Sequence, residues 1–119
     1  MELTHLPDRL AAILQRYPPE SKECVACAWE VRRLLQSEGI VAEVVRVTHA
    51  LLGQYFHTQD GVCFAETGFH MTVKVNDLLV DALTGPEGKP QQEYYTLWRD
   101  VEPNELMFTP METRDAPSD

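Results

Sequence analysis

Long apolar runs, basic residues and cysteines are all scarce in this chain. No stretch approaches the roughly 20 consecutive apolar residues that a membrane-spanning helix needs. The start, Met1-Glu2-Leu3-Thr4-His5, lacks the basic and apolar segments of a signal peptide. We therefore expect a cytoplasmic protein that does not use a membrane as a partner.

Basic residues are outnumbered by acidic ones. Ten Lys and Arg stand against 19 Asp and Glu, so the net charge is -9. A surface of this sign repels polyanions at long range, which argues against a nucleic-acid partner. A protein or a cationic small molecule remains open as a partner, because an acidic surface does not choose between them.

The three cysteines, Cys24, Cys27 and Cys63, are an odd number in a chain of 119 residues. A chain of this length with 44% apolar residues buries a core without covalent staples. We therefore expect no secreted disulfide framework and at least one free thiol. Residues 1–111 are expected to form a single domain, and the polar residues 112–119 a flexible tail.

The spacing of apolar residues predicts two helices in the first third of the chain. The first begins around Leu6-Pro7-Asp8 and ends at Pro18-Pro19. The second is capped by Ser21 and stops at Gly39. Its apolar stripe consists of Cys24, Cys27, Ala28, Val31 and Leu35.

The pattern then changes to the alternation that is typical of strands. A β-branched strand is predicted over Ile40–Thr48, and a hairpin over Phe69–Val75 and Leu78–Leu83. A short helix follows Pro90 over Gln91–Trp98, and Leu106–Phe108 reads as an edge strand.

Cys24 is placed where a thiol becomes reactive. It falls at about the third residue of the second predicted helix, where unpaired backbone N–H groups and the helix dipole lower the pKa of a thiol. Cys27 lies one turn further along, where the dipole is weaker and a thiol acts as a small apolar filler. A cysteine at a helix start is more often structural than catalytic, so Cys24 needs a partner base to be a nucleophile.

The register of the predicted hairpin supplies such a base. If Asn76-Asp77 is a two-residue loop, Thr72 faces Asp81, and His70 shares the face of Thr72. The backbones of His70 and Asp81 are then about 7 Å apart, which two polar side chains can bridge. A three-residue loop would place Asp81 on the opposite face of the sheet.

His70 taken alone would be a solvent-facing histidine on the polar side of an alternating strand. Leu79 and Leu83 flank Asp81 on that face, however, and indicate a half-buried groove. Another element, such as the Cys24 helix, would cover it.

A cysteine at a helix start, a histidine at a strand start and an aspartate on the next strand follow each other along the chain. This order resembles the papain-like cysteine enzymes, and most closely the small papain-fold toxin domains of bacterial polymorphic toxin systems, some of which are glutamine deamidases. The resemblance spans about residues 20 to 100. It is carried by Glu23-Cys24-Val25-Ala26-Cys27-Ala28, by Gly39-Ile40, by Gly68-Phe69-His70 with Val73 and Val75, and by Val80-Asp81-Ala82-Leu83-Thr84-Gly85.

The resemblance implies an α+β fold in which N-terminal helices pack on a small antiparallel sheet. It implies Cys24 as the nucleophile, His70 as general base and acid, and Asp81 as the residue that orients His70. The implied activity is acyl transfer from a carboxamide of a protein substrate, as in a glutamine deamidase, a cysteine peptidase or a transglutaminase. Such chemistry needs no cofactor and no metal, and a cognate immunity protein is the implied further partner.

The sequence departs from papain at the oxyanion hole. No glutamine precedes the cysteine in Pro18-Pro19-Glu20-Ser21. The backbone N–H of Cys24 would supply one donor. Gln54 and Gln59 are candidates for the second, and each is more simply a polar loop residue.

Two other kinds of site use the same cysteines. Cys24-Val25-Ala26-Cys27 is a C-x-x-C motif, as in redox pairs of the thioredoxin kind, but Pro18-Pro19 stands where a strand should lead into it. A zinc site would combine both cysteines with Cys63 and a histidine, although structural zinc sites usually show two paired motifs and only one is present. The candidate histidines are His49, His57 and His70.

A non-catalytic protein is the third alternative. An acidic binding or immunity protein would use its negative charge to meet a basic surface, and it would show an unreactive Cys24 and salt-sensitive binding. The aromatic residues Tyr94, Tyr95 and Trp98 fit either a lid near the groove or the core, and core packing is the better interpretation.

Overall fold

The computed structural model describes residues 6–18, 23–49, 58–59, 69–99 and 101–111. Its α-helices are α1 (Leu6–Arg16) and α2 (Cys24–Ser37), and a 3₁₀-helix spans Gln91–Leu97. The strands are β1 (Glu43–His49), β2 (Phe69–Val75), β3 (Leu78–Val80), β4 (Lys89–Pro90) and β5 (Leu106–Met111). They form one antiparallel sheet in the order β4-β3-β2-β1-β5, which confirms the predicted α+β fold.

Helix α2 ends as predicted but begins later. Gly39 has φ +77°, and the N–H of Ile40 donates to the carbonyl of Leu35 at 2.9 Å, which closes the helix in a Schellman motif. Glu23 is the N-cap, so Cys24 is the first residue of the helix and not the third. The predicted cap, Ser21, lies outside the described residues.

The sheet is covered on both faces, which buries β2 completely at its centre. On one face, α2 packs against Met71 and Val73, and α1 packs against α2. On the opposite face, Tyr94 and Trp98 lie over Leu79 and the neighbouring part of β1. The groove on the His70 side is therefore covered mainly by Tyr94 and Trp98, while the helix that the sequence suggested as a cover, α2, contributes Cys24 beside His70.

The hairpin has the predicted register. Val75 pairs with Leu78 and Val73 with Val80, and Asn76 has φ 56°, so Asn76-Asp77 is a two-residue loop with the backbone that such turns require. The second strand was expected to run to Leu83, but it stops at Val80.

The early end of β3 has a local cause. The N–H groups of Thr84 and Gly85 donate to the carbonyl of Asp81 at 3.2 and 3.0 Å, so the chain turns immediately after the strand. The Thr84 hydroxyl adds a bond to the same carbonyl at 3.2 Å. Aspartate and threonine side chains offer the backbone such turns in competition with the sheet ladder.

The other sequence predictions are met with shifted boundaries. The strand expected over Ile40–Thr48 begins at Glu43, the edge strand from Leu106 runs to Met111, and the helix after Pro90 is of the 3₁₀ type. The proposed tail 112–119 lies outside the described residues. Among the helices that are described, none is long and apolar enough to cross a membrane.

Candidate active site

The short β3 leaves part of the β2 edge open. In a two-residue hairpin Val75 and Leu78 are a hydrogen-bonded pair, and so by alternation are Val73 and Val80. The backbone N–H of Met71 points to the same side as that of Val73, beyond the last residue of β3. This N–H donates a hydrogen bond to the sulfur of Cys24.

Cys24 is half-buried at the start of α2, in contact with His70. Burial raises the pKa of its thiol, but a hydrogen bond to His70, the charge of His70 and the Met71 N–H all lower it. The net effect is a pKa below the ordinary value of a thiol. The first turn of a helix also has backbone N–H groups that have no partner within the helix, and these favour an anion there.

His70 and Asp81 lie together as the register predicted. The Nε2 atom of His70 is 3.6 Å from Oδ2 of Asp81, and both side chains are buried. This is an ion-pair separation slightly longer than a hydrogen bond. Because Nε2 faces Asp81, we infer that Nδ1 faces the thiol of Cys24.

The carboxylate of Asp81 is held from two sides. Its Oδ1 atom accepts the backbone N–H groups of Leu83 at 2.8 Å and Thr84 at 3.1 Å. Its Oδ2 atom accepts the hydroxyl of Tyr94 at 2.6 Å and is the oxygen that faces His70. The turn that ends β3 therefore also fixes the carboxylate.

Asp81 is charged although it is buried. Burial raises its pKa, but the nearby imidazole of His70, followed by hydrogen bonds from Thr72 and Tyr94, lowers it below the usual range. The structure thus brings together a cysteine with a lowered thiol pKa, an imidazole and an ionised carboxylate. This set can carry out nucleophilic acyl transfer.

Residues 5–97 match the family model of papain fold toxin 2. The chain belongs to the papain fold toxin 2 family. The match runs from α1 through the hairpin to the end of the 3₁₀-helix and so contains Cys24, His70 and Asp81. No curated protein and no solved structure gives a significant match to the chain.

Two aromatic residues of this papain fold toxin domain have contacts that sequence reasoning missed. Tyr94 and Trp98 are buried, as the core interpretation predicted. Tyr94 also donates to Asp81, and the ring of Trp98 lies edge-on to His70 with 5.3 Å between the ring centroids. No local pattern indicates where a short 3₁₀-helix directs its side chains, so only the fold could reveal these contacts.

Gln59, one of the two candidates for an oxyanion donor, contacts the covering tryptophan of the toxin domain. Its side-chain amide donates to the carbonyl of Trp98 at 3.0 Å, and its backbone N–H donates to Leu97 at 3.2 Å. Gln59 therefore anchors the segment that lies over His70. The other candidate, Gln54, lies outside the described residues.

Cys27 differs from Cys24 as the sequence predicted. It is 3% exposed, and burial together with the charge of Asp81 raises its pKa to about 12. Both cysteines are free thiols. Within the described ranges there is no group of three or more side chains able to hold a metal, and Cys63 and His57 of the zinc alternative lie outside these ranges.

Replacement of Cys27 by alanine is expected to affect stability and not reactivity. Cys27 packs between α2 and the sheet as a protonated thiol. Cys27→Ala removes one buried atom, which costs about 1 kcal/mol of unfolding free energy. Urea unfolding measures this loss, and iodoacetamide labelling should show an unchanged rate at Cys24. A large fall in that rate in a folded variant would contradict the packing role.

Proposed function

We propose that this toxin domain is a cysteine-dependent acyl-transfer hydrolase that acts on a carboxamide of a protein substrate, most closely a glutamine deamidase. The observation that carries the proposal is the half-buried Cys24 at a helix N-terminus, with its thiol pKa lowered by His70 and with Asp81 behind His70. Structural cysteines in apolar surroundings, such as Cys27, have raised pKa values instead.

The proposed reaction has two steps. The thiolate of Cys24 attacks the carbonyl carbon of the amide, and the backbone N–H of Cys24 is a donor for the oxygen that becomes negative. The imidazolium of His70 gives its Nδ1 proton to the nitrogen, which leaves as ammonia, and a thioester remains. Water then loses a proton to His70 and attacks the thioester, which releases the carboxylic acid and the free thiol.

Asp81 would serve this cycle without exchanging a proton. Its carboxylate faces Nε2 of His70, so the imidazole presents Nδ1 to the sulfur, and its charge stabilises the imidazolium. The edge contact of Trp98 helps to exclude water from the pair. Low local polarity strengthens the attraction between the imidazolium and the two anions.

The first test is the pH dependence of iodoacetamide labelling, mapped separately to each cysteine. Since His70 lowers the pKa of Cys24, its labelling should stay fast below the ordinary thiol pKa of about 8.5. In His70→Ala both lowering effects of the imidazole are lost, while burial, the Met71 N–H and the charge of Asp81 remain, so the pKa rises and labelling shifts to higher pH. A Cys24 that labels like an ordinary thiol would instead favour the acidic binding protein.

The second test distinguishes the three reactions that begin with the same thioester: deamidation, peptide cleavage and transglutamination. Purified glutamine-bearing proteins are incubated with the domain, and ammonia release and conversion of glutamine to glutamate are followed by mass spectrometry. Deamidation gives both signals without chain cleavage. Peptide fragments would identify a peptidase, and incorporation of an added primary amine would identify a transglutaminase.

A further inference from the structure

Tyr94 is carried to the site by a short, well-anchored element. The 3₁₀-helix begins after Pro90, whose φ of -56° suits the residue before a helix. The N–H of Gln91 donates to the carbonyl of Asp77 at 2.8 Å, which ties the start of this helix to the hairpin turn. Asp81 follows the other end of the same hairpin, so one short unit sets the distance between the tyrosine and the aspartate.

The ring of Tyr94 is held from several directions. It is 0% exposed, and its centroid lies 6.4 Å from that of Trp98 and 6.1 Å from that of Phe108. The hydroxyl cannot swing away without breaking these contacts, because buried side chains in a packed core occupy single rotamers. The hydroxyl is therefore preorganised toward the carboxylate.

The hydroxyl of Tyr94 and the imidazole of His70 both face the same carboxylate oxygen of Asp81. The hydroxyl donates to Oδ2 of Asp81 at 2.6 Å, and this oxygen lies 3.6 Å from Nε2 of His70. We propose that Tyr94 is a positioning residue for acyl transfer, holding Oδ2 of Asp81 in the place from which it orients His70. This inference rests on the proposed function.

The chemistry of a neutral donor suits this task. A tyrosine hydroxyl stabilises a buried carboxylate without bringing a charge that would compete with the imidazolium. Because Oδ2 accepts a hydrogen bond from the hydroxyl, the carboxylate is held in one orientation. The remaining lone pair of Oδ2 is available to His70. A lysine or arginine in the same place would neutralise the carboxylate and weaken its effect on His70.

The pH dependence follows from the groups that face Asp81. These are His70 and Thr72 from β2, Tyr94 from the 3₁₀-helix, and Cys24 and Cys27 from α2. Without the hydroxyl, Asp81 becomes easier to protonate, so its charge is lost at a higher pH during acidification. The imidazolium then loses its support, and the Cys24 thiolate is protonated at a higher pH as well.

The test is Tyr94→Phe with Tyr95→Phe as its matched control. Both variants remove one hydroxyl from the same helix, and Tyr95 is only half-buried beside the same core. In Tyr94→Phe the rate of Cys24 labelling at neutral pH should fall about tenfold, as for a lost hydrogen bond to a charged group. The acid limb of its pH profile should also move to higher pH, whereas Tyr95→Phe should keep the wild-type rate and limb.

Placing 3-fluorotyrosine at position 94 is the complementary measurement, because it keeps the ring and hydroxyl and makes the hydroxyl a stronger donor. The acid limb should then move to lower pH. An unchanged limb in both substitutions, with only a lower Tm, would overturn the positioning role and leave the proposed function intact. Slow, ordinary labelling of Cys24 in the wild-type protein would overturn the proposed function itself.

Discussion

Replacement of Cys24 by alanine is expected to abolish acyl transfer, with a fall in rate of about a thousandfold or more. The sulfur of Cys24 is the atom that would form the thioester. Cys27 cannot replace it, because the Cys27 thiol has a pKa of about 12 and is buried in the core. The fold should survive, since Cys24 is the first residue of α2 and only half-buried. Release of ammonia from a deamidated protein substrate measures the loss.

The control for this substitution is Cys27→Ala, which removes the neighbouring thiol of the same helix and should retain the activity. Circular dichroism and a thermal melt establish that both variants are folded. Activity that persists in Cys24→Ala and disappears in Cys27→Ala would reverse the assignment of the nucleophile. Activity in both variants would show that neither thiol alone is required, which contradicts Cys24 as the essential nucleophile.

Replacement of Asp81 by alanine is expected to cost about 3 to 5 kcal/mol of unfolding free energy, as for the loss of one partner from a buried ion pair. The change leaves the N–H groups of Leu83 and Thr84 and the hydroxyl of Tyr94 without their acceptor. His70 also loses its charged partner. Denaturant unfolding measures the loss of stability directly.

The Asp81→Asn variant separates stability from reactivity. Its single amide oxygen can keep the bonds from Leu83 and Thr84, which leaves the NH₂ group facing Tyr94 and His70. A donor at this position makes Nε2 of His70 the acceptor and places the proton on Nδ1, so the imidazole cannot take the thiol proton of Cys24. We expect a folded protein whose Cys24 labelling falls about a hundredfold. Wild-type labelling in this variant would show that Asp81 does not orient His70.

The pKa of Asp81 also determines how this comparison depends on pH. Because its folded pKa is lowered, the carboxylate adds stability above its unfolded pKa of about 3.9, and this contribution is lost as the pH falls through the folded value. The difference in unfolding free energy between wild type and Asp81→Asn should therefore be largest near neutral pH. It should shrink in acid.

Local patterns in the sequence were sufficient for the helices and for the hairpin. The two-residue loop at Asn76-Asp77 and the alternation of a strand are properties of adjacent residues, so they place His70 and Asp81 on one face before any tertiary contact forms. Gly39 ended α2 for a similarly local reason. The boundary that was wrong at the end of β3 depends on which of two local hydrogen-bond patterns forms, the sheet ladder or the turn at Asp81.

The sequence by itself therefore determined the class of fold, the order of cysteine, histidine and aspartate, and the face that the last two share. Only the tertiary structure decided that the Met71 N–H meets the sulfur of Cys24, and that Tyr94 and Trp98 cover Asp81 and His70. The reason is physical: these contacts join residues that are far apart along the chain or lie on different elements. They depend on how the helices and the sheet pack, and neither periodicity nor spacing records that packing.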